Sequence, residues 1–212
     1  MDIASTGHEE RGKGRGDRLF EVADRQAGYF TASQAREAGY DYRLQHCHRE
    51  RGNWIPVGHG LYRLRQYPTV EDEELVRLSL WSRDRGGRLQ AVVSHETALR
   101  LHELTDLMPD RIHLSVPKGF RKEPTNGVVL HKAQLDEGDV EDRRGYRVTT
   151  PLRTILDIAR SPRVSPEHLE AAVAEALGRG LVRRKRLREA LEKLEDEERR
   201  SIVEGAMSGV AR

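Results

Sequence analysis

The sequence feature that most constrains the fold is a pair of short apolar and aromatic runs, WIPV and LYRL, on either side of Gly58-His59-Gly60. Runs of this kind around a glycine-rich tip predict a two-stranded β-hairpin. A tight turn accounts for the glycines, but not for a histidine at the tip or for Arg63 and Arg65 just beyond it. The elements that precede the hairpin decide whether it is a polar loop or a tip that contacts a partner.

Three short helices are predicted before the hairpin. The first begins at Asp17, and the second begins near Ser33 and Gln34 after the short strand YFT. The third runs from Asp41, a candidate N-cap, to Gly52, where a glycine suits the end of a helix. Helix, strand, helix, tight turn, helix and hairpin in this order predict a winged helix-turn-helix.

The third helix has two unlike sides when its residues are placed about 100° apart. One side carries residues that suit packing on the first two helices, namely Tyr40, Leu44, Cys47 and Arg51. The opposite side is polar, and it carries Tyr42, His46 and Arg49 with Arg43 and Gln45 on its flanks. A helix with this free side can enter the major groove of DNA, where its first turns meet base edges.

Each polar group suits a contact with nucleic acid. Arg43 can pair bidentately with guanine, Gln45 can pair with adenine, and His46 and Arg49 are placed to reach bases or phosphates. Ser33 and Gln34, at the start of the second helix, are positioned like donors to DNA phosphates. The hairpin could lie on the DNA backbone or in a minor groove, with His59, Arg63 and Arg65 as its candidate contacts. The alternative is a winged fold that mediates protein contacts only, with its arginines on a solvated face.

The charge balance is informative only locally. The formal net charge is +2, yet residues 41–65 contain five arginines and three histidines against Asp41 and Glu50. A local basic surface is the electrostatic footprint of a nucleic-acid binder. The single cysteine, Cys47, excludes an internal disulfide and fits a reducing compartment. We expect a cytoplasmic protein without a signal peptide or a membrane partner, since no run reaches the ~18 apolar residues of a membrane span.

The second part of the chain mixes strands and helices, so the expected fold class is α+β. A winged helix-turn-helix domain is followed by a mixed α/β domain with a small sheet and C-terminal helices. Ser94 is a candidate N-cap, RIHLSV alternates as a half-buried strand, and Thr150-Pro151 begin a helix. The expected segments are a disordered tail (1–16), the DNA-binding domain (17–66), a linking helix (67–88) capped by Thr69 and ended by Gly86-Gly87, the C-terminal domain (89–200) and a frayed tail (201–212).

The candidate catalytic and metal sites fail on spacing. Ser94-His95-Glu96 suggests a metalloprotease, but the second histidine is missing because the fourth residue after His95 is Leu99. We therefore interpret this stretch as a capped, solvated helix face. The run His46-Cys47-His48 lies on a helix, where neighbouring side chains diverge by about 100° and cannot converge on one ion. No cofactor, metal site or enzymatic activity is expected.

Two stretches together resemble the AbiEi family of bacterial antitoxins. GYFTASQAREAGYDYRLQHCHRERGNWIPVGHGLYRL resembles the N-terminal domain of that family. VVSHETALRLHELTDLMPDRIHLSVP and VTTPLRTILDIA are similar to two segments of its C-terminal domain. The resemblance covers roughly residues 17–195, and the two domains in this order are fairly specific to the family. One departure is the hairpin tip, where relatives often carry arginines and this chain carries His59.

The resemblance implies a function and partners. These antitoxins are encoded beside an AbiEii-type nucleotidyltransferase toxin in phage-defence systems that act by abortive infection. Their N-terminal domain binds inverted repeats in its own promoter and represses it, and their C-terminal domain is needed to neutralise the toxin. The family has been classed as acting without a stable toxin complex.

The surface that controls the toxin is expected to be basic. The candidates lie in the loop KGFRK, at the start of the helix after Thr150, and in a basic run near the C-terminus: Lys118, Arg121, Lys122, Arg153, Arg183, Arg184, Lys185 and Arg186. The last run could equally be solvated helix, or could bind RNA or DNA. Two rival functions stay open: a stand-alone winged-helix regulator whose C-terminal domain senses a ligand or partner, and an enzyme with its site in residues 90–150.

Overall fold

A computed structural model describes residues 13–209, so the tail expected over residues 1–16 lies mostly outside the described residues. The chain divides into two units, Met1–Glu73 and Glu74–Arg212, and each is described by itself. Both units combine helices with a small sheet. The α+β class predicted from the sequence is confirmed.

The first unit is a helix-turn-helix with a wing. Its elements within the described residues are α1 (Arg15–Asp24), β1 (Tyr29–Thr31), α2 (Ala32–Glu37), α3 (Tyr42–Glu50), β2 (Trp54–Gly58) and β3 (Leu61–Leu64). The strands form an antiparallel sheet in the order β1-β3-β2, so β2 and β3 are the predicted hairpin. A core of aromatic rings lies beneath them, with Phe30, Trp54 and Tyr62 in mutual contact.

The first helix begins earlier than predicted. It starts at Arg15, and Asp17 lies in its first turn, where its carboxylate accepts the N–H of Gly14 at 3.2 Å. An acidic residue in this position is favourable because of the helix dipole, which explains why Asp17 resembled an N-cap. The turn after α1 requires Gly28, which has φ +84°, and a Cβ there would come within 2.4 Å of the Tyr67 ring.

The starts of α2 and α3 are fixed by side-chain caps. Thr31 accepts the N–H of Gln34 at 3.1 Å, and the Gln34 side chain returns the bond to the N–H of Thr31 at 2.8 Å. Asp41 accepts the N–H of Leu44 at 2.8 Å, as predicted for an N-cap. The wing is tied to this pair of helices because the carbonyl of Gly60 accepts the N–H of Ala32.

The second unit is a mixed sheet with helices. Its first helix, α4 (Glu73–Trp81), begins at the last residue of the first unit. The other described elements are β4 (Val92–Val93), α5 (His95–Leu101), β5 (Ile112–Val116), β6 (Val128–Lys132), a 3-10 turn (Glu137–Asp139), β7 (Val140–Asp142), β8 (Arg147–Thr149), α6 (Pro151–Ala159), α7 (Pro166–Gly178), α8 (Arg184–Leu191) and α9 (Glu197–Gly209). The strand order is β6-β5-β4-β8-β7. The β5–β6 and β4–β8 pairs are parallel, and the other two pairs are antiparallel.

The linking helix is shorter than predicted. Helix α4 begins at Glu73 rather than after Thr69, and it ends at Trp81 rather than at Gly86-Gly87. The buried hydroxyl of Ser82 explains the end: it donates to the carbonyl of Ser79 at 2.7 Å and accepts the N–H of Ala91 at 2.9 Å. The chain therefore turns back at Ser82 toward β4.

The expected frayed tail is instead helix α9, which extends to Gly209. Val203, Ala206 and Met207 are buried at i, i+3 and i+4 in the same core as α5, α6, α7 and α8. The half-buried Ile202 packs on the same core, so the spacing is helical, but these four apolar residues lie among charged and small neighbours and the sequence pattern was too sparse to recognise. Packing on that core supplies the stability that local propensity does not.

Candidate nucleic-acid interface

Helix α3 is held in place by its packed side. The amide of Gln45 donates to the carbonyls of Ala32 at 3.2 Å and Tyr40 at 2.9 Å, and the residue is only 6% exposed. The ring of His48 stacks on Trp54 with 4.9 Å between centroids. The prediction that Gln45 lies beside the free side and pairs with adenine is wrong, because both of its amide hydrogens serve buried backbone carbonyls.

The free side of α3 is centred on Arg43, His46 and Glu50, which are all exposed. This side is opposite the half-buried Leu44 and the buried Gln45 when 100° is allowed per residue. The His46 ring lies 3.6 Å from the Glu50 carboxylate, one turn along the helix. Arg43 thus has the most open guanidinium position on the side of α3 that can face a partner.

Tyr42 and Arg49 occupy one flank of α3, two turns apart. Tyr42 is 80% exposed, the largest value among the exposed large apolar and aromatic side chains. Arg49 is half-buried, and a hydrogen bond to the Tyr62 hydroxyl raises the pKa of its guanidinium. Arg49 therefore links α3 to strand β3 of the wing, and its charge lies where helix and wing meet.

The start of α2 offers one exposed hydroxyl. Ser33 is exposed and its hydroxyl donates to the Glu37 carboxylate at 3.2 Å. Gln34 is half-buried and its side-chain amide is shared between the N–H of Thr31 and the side chain of Gln26. The structure therefore places Ser33 at the surface beside a carboxylate, and it uses Gln34 to cap the helix.

The wing places its three predicted residues in different settings. His59 is exposed at the tip. Arg63 is turned inward: its side chain is 13% exposed, it pairs with Glu73 at 3.2 Å, and it lies over the ring of Tyr29. Arg65 is exposed, and its guanidinium donates to the carbonyl of Gly52 just past α3. The prediction that Arg63 is free for DNA is wrong, because a partly buried carboxylate holds it.

The basic loop of the second unit contains two exposed basic side chains and a third whose ammonium group is hydrogen-bonded to the backbone. Lys118 and Arg121 are exposed. The ammonium of Lys122 donates to the carbonyls of Trp81 at 2.7 Å and Arg83 at 2.8 Å, so it satisfies the end of α4. The loop is therefore basic at its surface, but Lys122 serves the fold.

Arg153 is a structural residue. Its guanidinium donates to Asp139 at 2.9 Å and to Asp157 at 2.8 Å, and its side chain is 18% exposed. Burial raises the pKa of the Asp157 carboxyl, and the nearby Arg153 opposes that shift. The prediction that Arg153 belongs to an exposed toxin-control surface is wrong for this reason.

The basic run before and within α8 is mostly solvated. Arg183, Lys185 and Arg186 are exposed, and Lys185 lies 3.9 Å from Glu189 one turn away. Arg184 is half-buried and donates to the carbonyl of Met207 in α9. Arg183 and Arg186 are thus the members of this run most open to a partner.

A buried polar cluster in the second unit was missed by sequence reasoning. Ser94 is fully buried, and His95 and Glu96 are 9% and 6% exposed, so they are not the solvated helix face that was expected. Ser94 makes no capping bond with its side chain, and its hydroxyl instead accepts from Ser115 at 2.9 Å and contacts His95 Nδ1 at 2.9 Å. His95 has φ +53°, which is uncommon for a residue with a side chain.

Two further histidines complete this cluster. His113 Nδ1 lies 2.8 Å from Glu96 and 3.0 Å from His131 Nε2, and the rings of His95 and His131 stack with 3.5 Å between centroids. Burial lowers the pKa of His95 to about 3 and of His131 to about 4. The available signal was the strand RIHLSV, whose polar positions alternate with its apolar ones and face a helix instead of solvent.

Among residues 13–209, no group of three or more histidine, cysteine, aspartate or glutamate side chains is arranged to hold a metal ion. Nor does any helix in that range have the length and apolar character needed to cross a bilayer.

Comparison with known proteins gives two family matches. Residues 17–65 match the family described as "Transcriptional regulator, AbiEi antitoxin", and residues 90–203 match "AbiEi antitoxin C-terminal domain". The second match alone covers more than half of the chain. The crystal structure of RV2827C protein from Mycobacterium tuberculosis aligns with 96% of this chain and 85% of its own, at 15% identity and a TM-score of 0.46. No curated protein matches the sequence significantly.

Proposed function

Because the chain belongs to the AbiEi antitoxin family, we propose that it represses its own promoter and counteracts a nucleotidyltransferase toxin in a phage-defence system. The first unit is assigned to promoter DNA with inverted repeats, and the second unit to control of the toxin, with or without a stable complex. The proposal assigns no reaction to this chain. It places the protein in the cytoplasm, where its promoter lies.

The observation that carries the DNA-binding role is the arrangement of α3. The helix is anchored on one side by Gln45 and His48, and its other side presents Arg43 and His46 to solvent. A rigidly placed helix with a polar outer side is what a major groove accepts. The match of residues 17–65 to a family of transcriptional regulators supports the same assignment.

The binding surface carries a moderate positive charge. Of the arginines predicted to contact DNA, Arg43, Arg49 and Arg65 remain near this surface, whereas Arg63 is held by Glu73. A protein that neutralises few phosphates shows a correspondingly shallow salt dependence, because each contact contributes about one unit of slope. We therefore propose that affinity for the promoter depends on two copies bound at the two halves of an inverted repeat.

The test of DNA binding is a titration of the protein against its own upstream region over a salt series. We expect affinity to fall with salt, and Arg43→Ala to weaken binding by about five-fold or more, because a bidentate pair with guanine contributes about 1–3 kcal/mol. The matched control is Arg25→Ala, which removes an exposed arginine that follows α1. Salt-insensitive binding, or equal loss in both variants, would contradict the proposal.

Toxin control is assigned to the exposed cations of the second unit, Lys118, Arg121, Arg183, Lys185 and Arg186. The test uses the full-length chain in cells that express the partner toxin. Arg183→Ala combined with Arg186→Ala is expected to lose rescue of growth while promoter binding is kept. Arg43→Ala is expected to lose promoter binding while rescue of growth is kept. If both variants rescue equally well, this surface is not the one that controls the toxin.

A stand-alone regulator is the second candidate function, and one cavity favours it. The cavity has about 300 Å³ and lies in the second unit, with Val92, Val116, Lys118 and Arg147 among its lining residues. The lining also includes Asp136 and Glu137, so the pocket combines apolar walls with charges of both signs and could hold a small polar ligand. The neighbouring gene separates the two functions: an adjacent nucleotidyltransferase favours the antitoxin, and its absence favours the regulator.

A further inference from the structure

Tyr42 is the exception among the tyrosines of this chain. The sequence contains six tyrosines, and the other five are at most 9% exposed, whereas Tyr42 is 80% exposed. An exposed aromatic ring gains almost nothing for folding, because its apolar surface stays in water. The position of Tyr42 therefore has little bearing on stability, and it leaves a large apolar surface available to a partner.

The backbone that carries Tyr42 is held by hydrogen bonds at the start of α3. Tyr42 is the first residue of α3, directly after the N-cap Asp41, which accepts the N–H of Leu44 at 2.8 Å. Gln45, three residues later, is fixed by its two bonds to backbone carbonyls. A tyrosine on such a frame loses only two side-chain torsions on binding, so the entropic cost of ordering it is small.

The chemistry of the major groove offers one match for an apolar ring. Base edges there present hydrogen-bond donors and acceptors, and the one apolar group among them is the C5-methyl of thymine. The neighbouring Arg43 suits guanine, which presents acceptors only. The first turn of α3 therefore offers two kinds of contact: the Tyr42 ring suits a thymine methyl group, and the Arg43 guanidinium suits the acceptors of guanine.

Resting on the proposed DNA-binding function, we propose that Tyr42 determines operator specificity by packing its ring against a thymine methyl group in each half-site. The contact is made by the ring face, and the phenol hydroxyl is not required. If the Tyr42 hydroxyl instead bound a phosphate, it would add affinity without sequence preference. The test must distinguish this phosphate contact from the contact between the ring and the thymine methyl group.

The experiment replaces thymine by uracil, which removes only the methyl group, throughout the upstream region bound by the protein. Wild-type protein, Tyr42→Ala and Tyr42→Phe are titrated against both DNAs at one salt concentration. We expect wild type to lose about four-fold in affinity per half-site on uracil DNA, the factor that corresponds to one buried methyl group. Tyr42→Ala should bind both DNAs equally, and Tyr42→Phe should discriminate like wild type.

Controls make each outcome decisive. Phe20→Ala removes another exposed aromatic ring, 54% exposed on α1, and should keep the full preference for thymine. Thermal unfolding of Tyr42→Ala should match wild type, since the ring is solvent-exposed. Equal binding of wild type to both DNAs overturns the inference, as does loss of affinity in Tyr42→Phe equal to that in Tyr42→Ala. Failure of wild type to bind any upstream DNA overturns the DNA-binding function itself.

Discussion

Two helix starts in this chain, at α3 and at α5, have similar sequences and opposite surroundings. Each begins with a short polar residue followed by polar or aromatic side chains, Asp41-Tyr42-Arg43 in one and Ser94-His95-Glu96 in the other. In α3 the cap bonds the helix backbone, and the next two residues are exposed. In α5 the cap position makes no such bond, and all three residues are buried.

The difference comes from what covers each helix. Helix α3 packs on one side only, through Gln45 and His48, so polar residues on its other side remain solvated. Helix α5 contacts strand β5 and helix α6, so its polar side chains bond to one another and to His113 and Ser115. Polar residues at a surface can be replaced with little effect on stability, whereas buried ones leave unpaired partners when they are removed.

The largest effect is expected from Arg153→Ala, which tests whether a predicted surface arginine is structural. Its loss leaves the buried carboxylate of Asp157 without its counter-charge, so we expect the free energy of unfolding to fall by about 3 kcal/mol. Urea unfolding followed by the fluorescence of Trp81, in a Trp54→Phe background, reports on the second unit. Arg186→Ala is the control and should change stability by less than about 0.5 kcal/mol. Similar small losses in both variants would place Arg153 at the surface.

Acid should destabilise the second unit through its buried histidines. Burial holds the pKa of His95 at about 3 and that of His131 at about 4, against about 6.5 in an unfolded chain. Between these pKa values the unfolded state binds protons that the folded state does not bind. The stability that the two neutral histidines permit is therefore full above about pH 6.5 and is lost as the pH falls toward 4. Glu96, His113, Arg153 and Arg163 face the pair and set its charge environment.

Between pH 7.5 and pH 5 the loss for His95 alone should be on the order of 2 kcal/mol. The same fluorescence-detected urea unfolding measures it at the two pH values. His46→Asn, at an exposed histidine of α3, is the control and should leave the pH dependence as it is in wild type. A second unit equally stable at both pH values would show that the cluster binds a proton in the folded state.

Gln45→Ala distinguishes a buried anchor from a base-reading side chain. The substitution leaves the carbonyls of Ala32 and Tyr40 without donors, so we expect a loss of about 1–2 kcal/mol in stability of the first unit. Affinity for promoter DNA should fall as a consequence of a less firmly placed α3. Thermal unfolding is the deciding measurement, because a residue that only paired with adenine would leave stability unchanged. Gln66→Ala, an exposed glutamine after the wing, is the matched control.

The elements that could be predicted from the sequence are those fixed by local chemistry. The hairpin around Gly58-His59-Gly60, the cap at Asp41 and the cap at Thr150 each depend on a few neighbouring residues. The elements that were missed depend on distant residues. Helix α9 is stabilised by a core drawn from four other helices, and the end of α4 is set by bonds between Ser82 and the chain near Ala91.

For the candidate site too, features that depend on neighbouring residues could be predicted, and features that depend on distant residues could not. Helical spacing predicted Tyr42, His46 and Arg49 on the free side of α3, with Arg43 on its flank. In the structure the centre of that side is Arg43, His46 and Glu50, and Tyr42 and Arg49 form the flank. Spacing could not show that Gln45 fills a gap between two carbonyls, or that Glu73 holds Arg63. Both depend on where another element lies, and the amino-acid type alone allows either a structural or a surface role.

The smallest effect is expected from His59→Ala at the tip of the wing. His59 is exposed, and its neighbour Gly60 ties the wing to α2 through a backbone carbonyl that the substitution keeps. The tip, Gly58-His59-Gly60, contains no arginine or lysine, so it adds little attraction to phosphate. We expect promoter affinity at pH 7.5 to change by less than about two-fold, which is about 0.4 kcal/mol of binding free energy. His59→Arg, which adds a permanent charge at the same point, should strengthen binding and steepen its salt dependence by about one unit. A large loss in His59→Ala at this pH would mean that the tip contacts DNA directly and that α3 is not the dominant element.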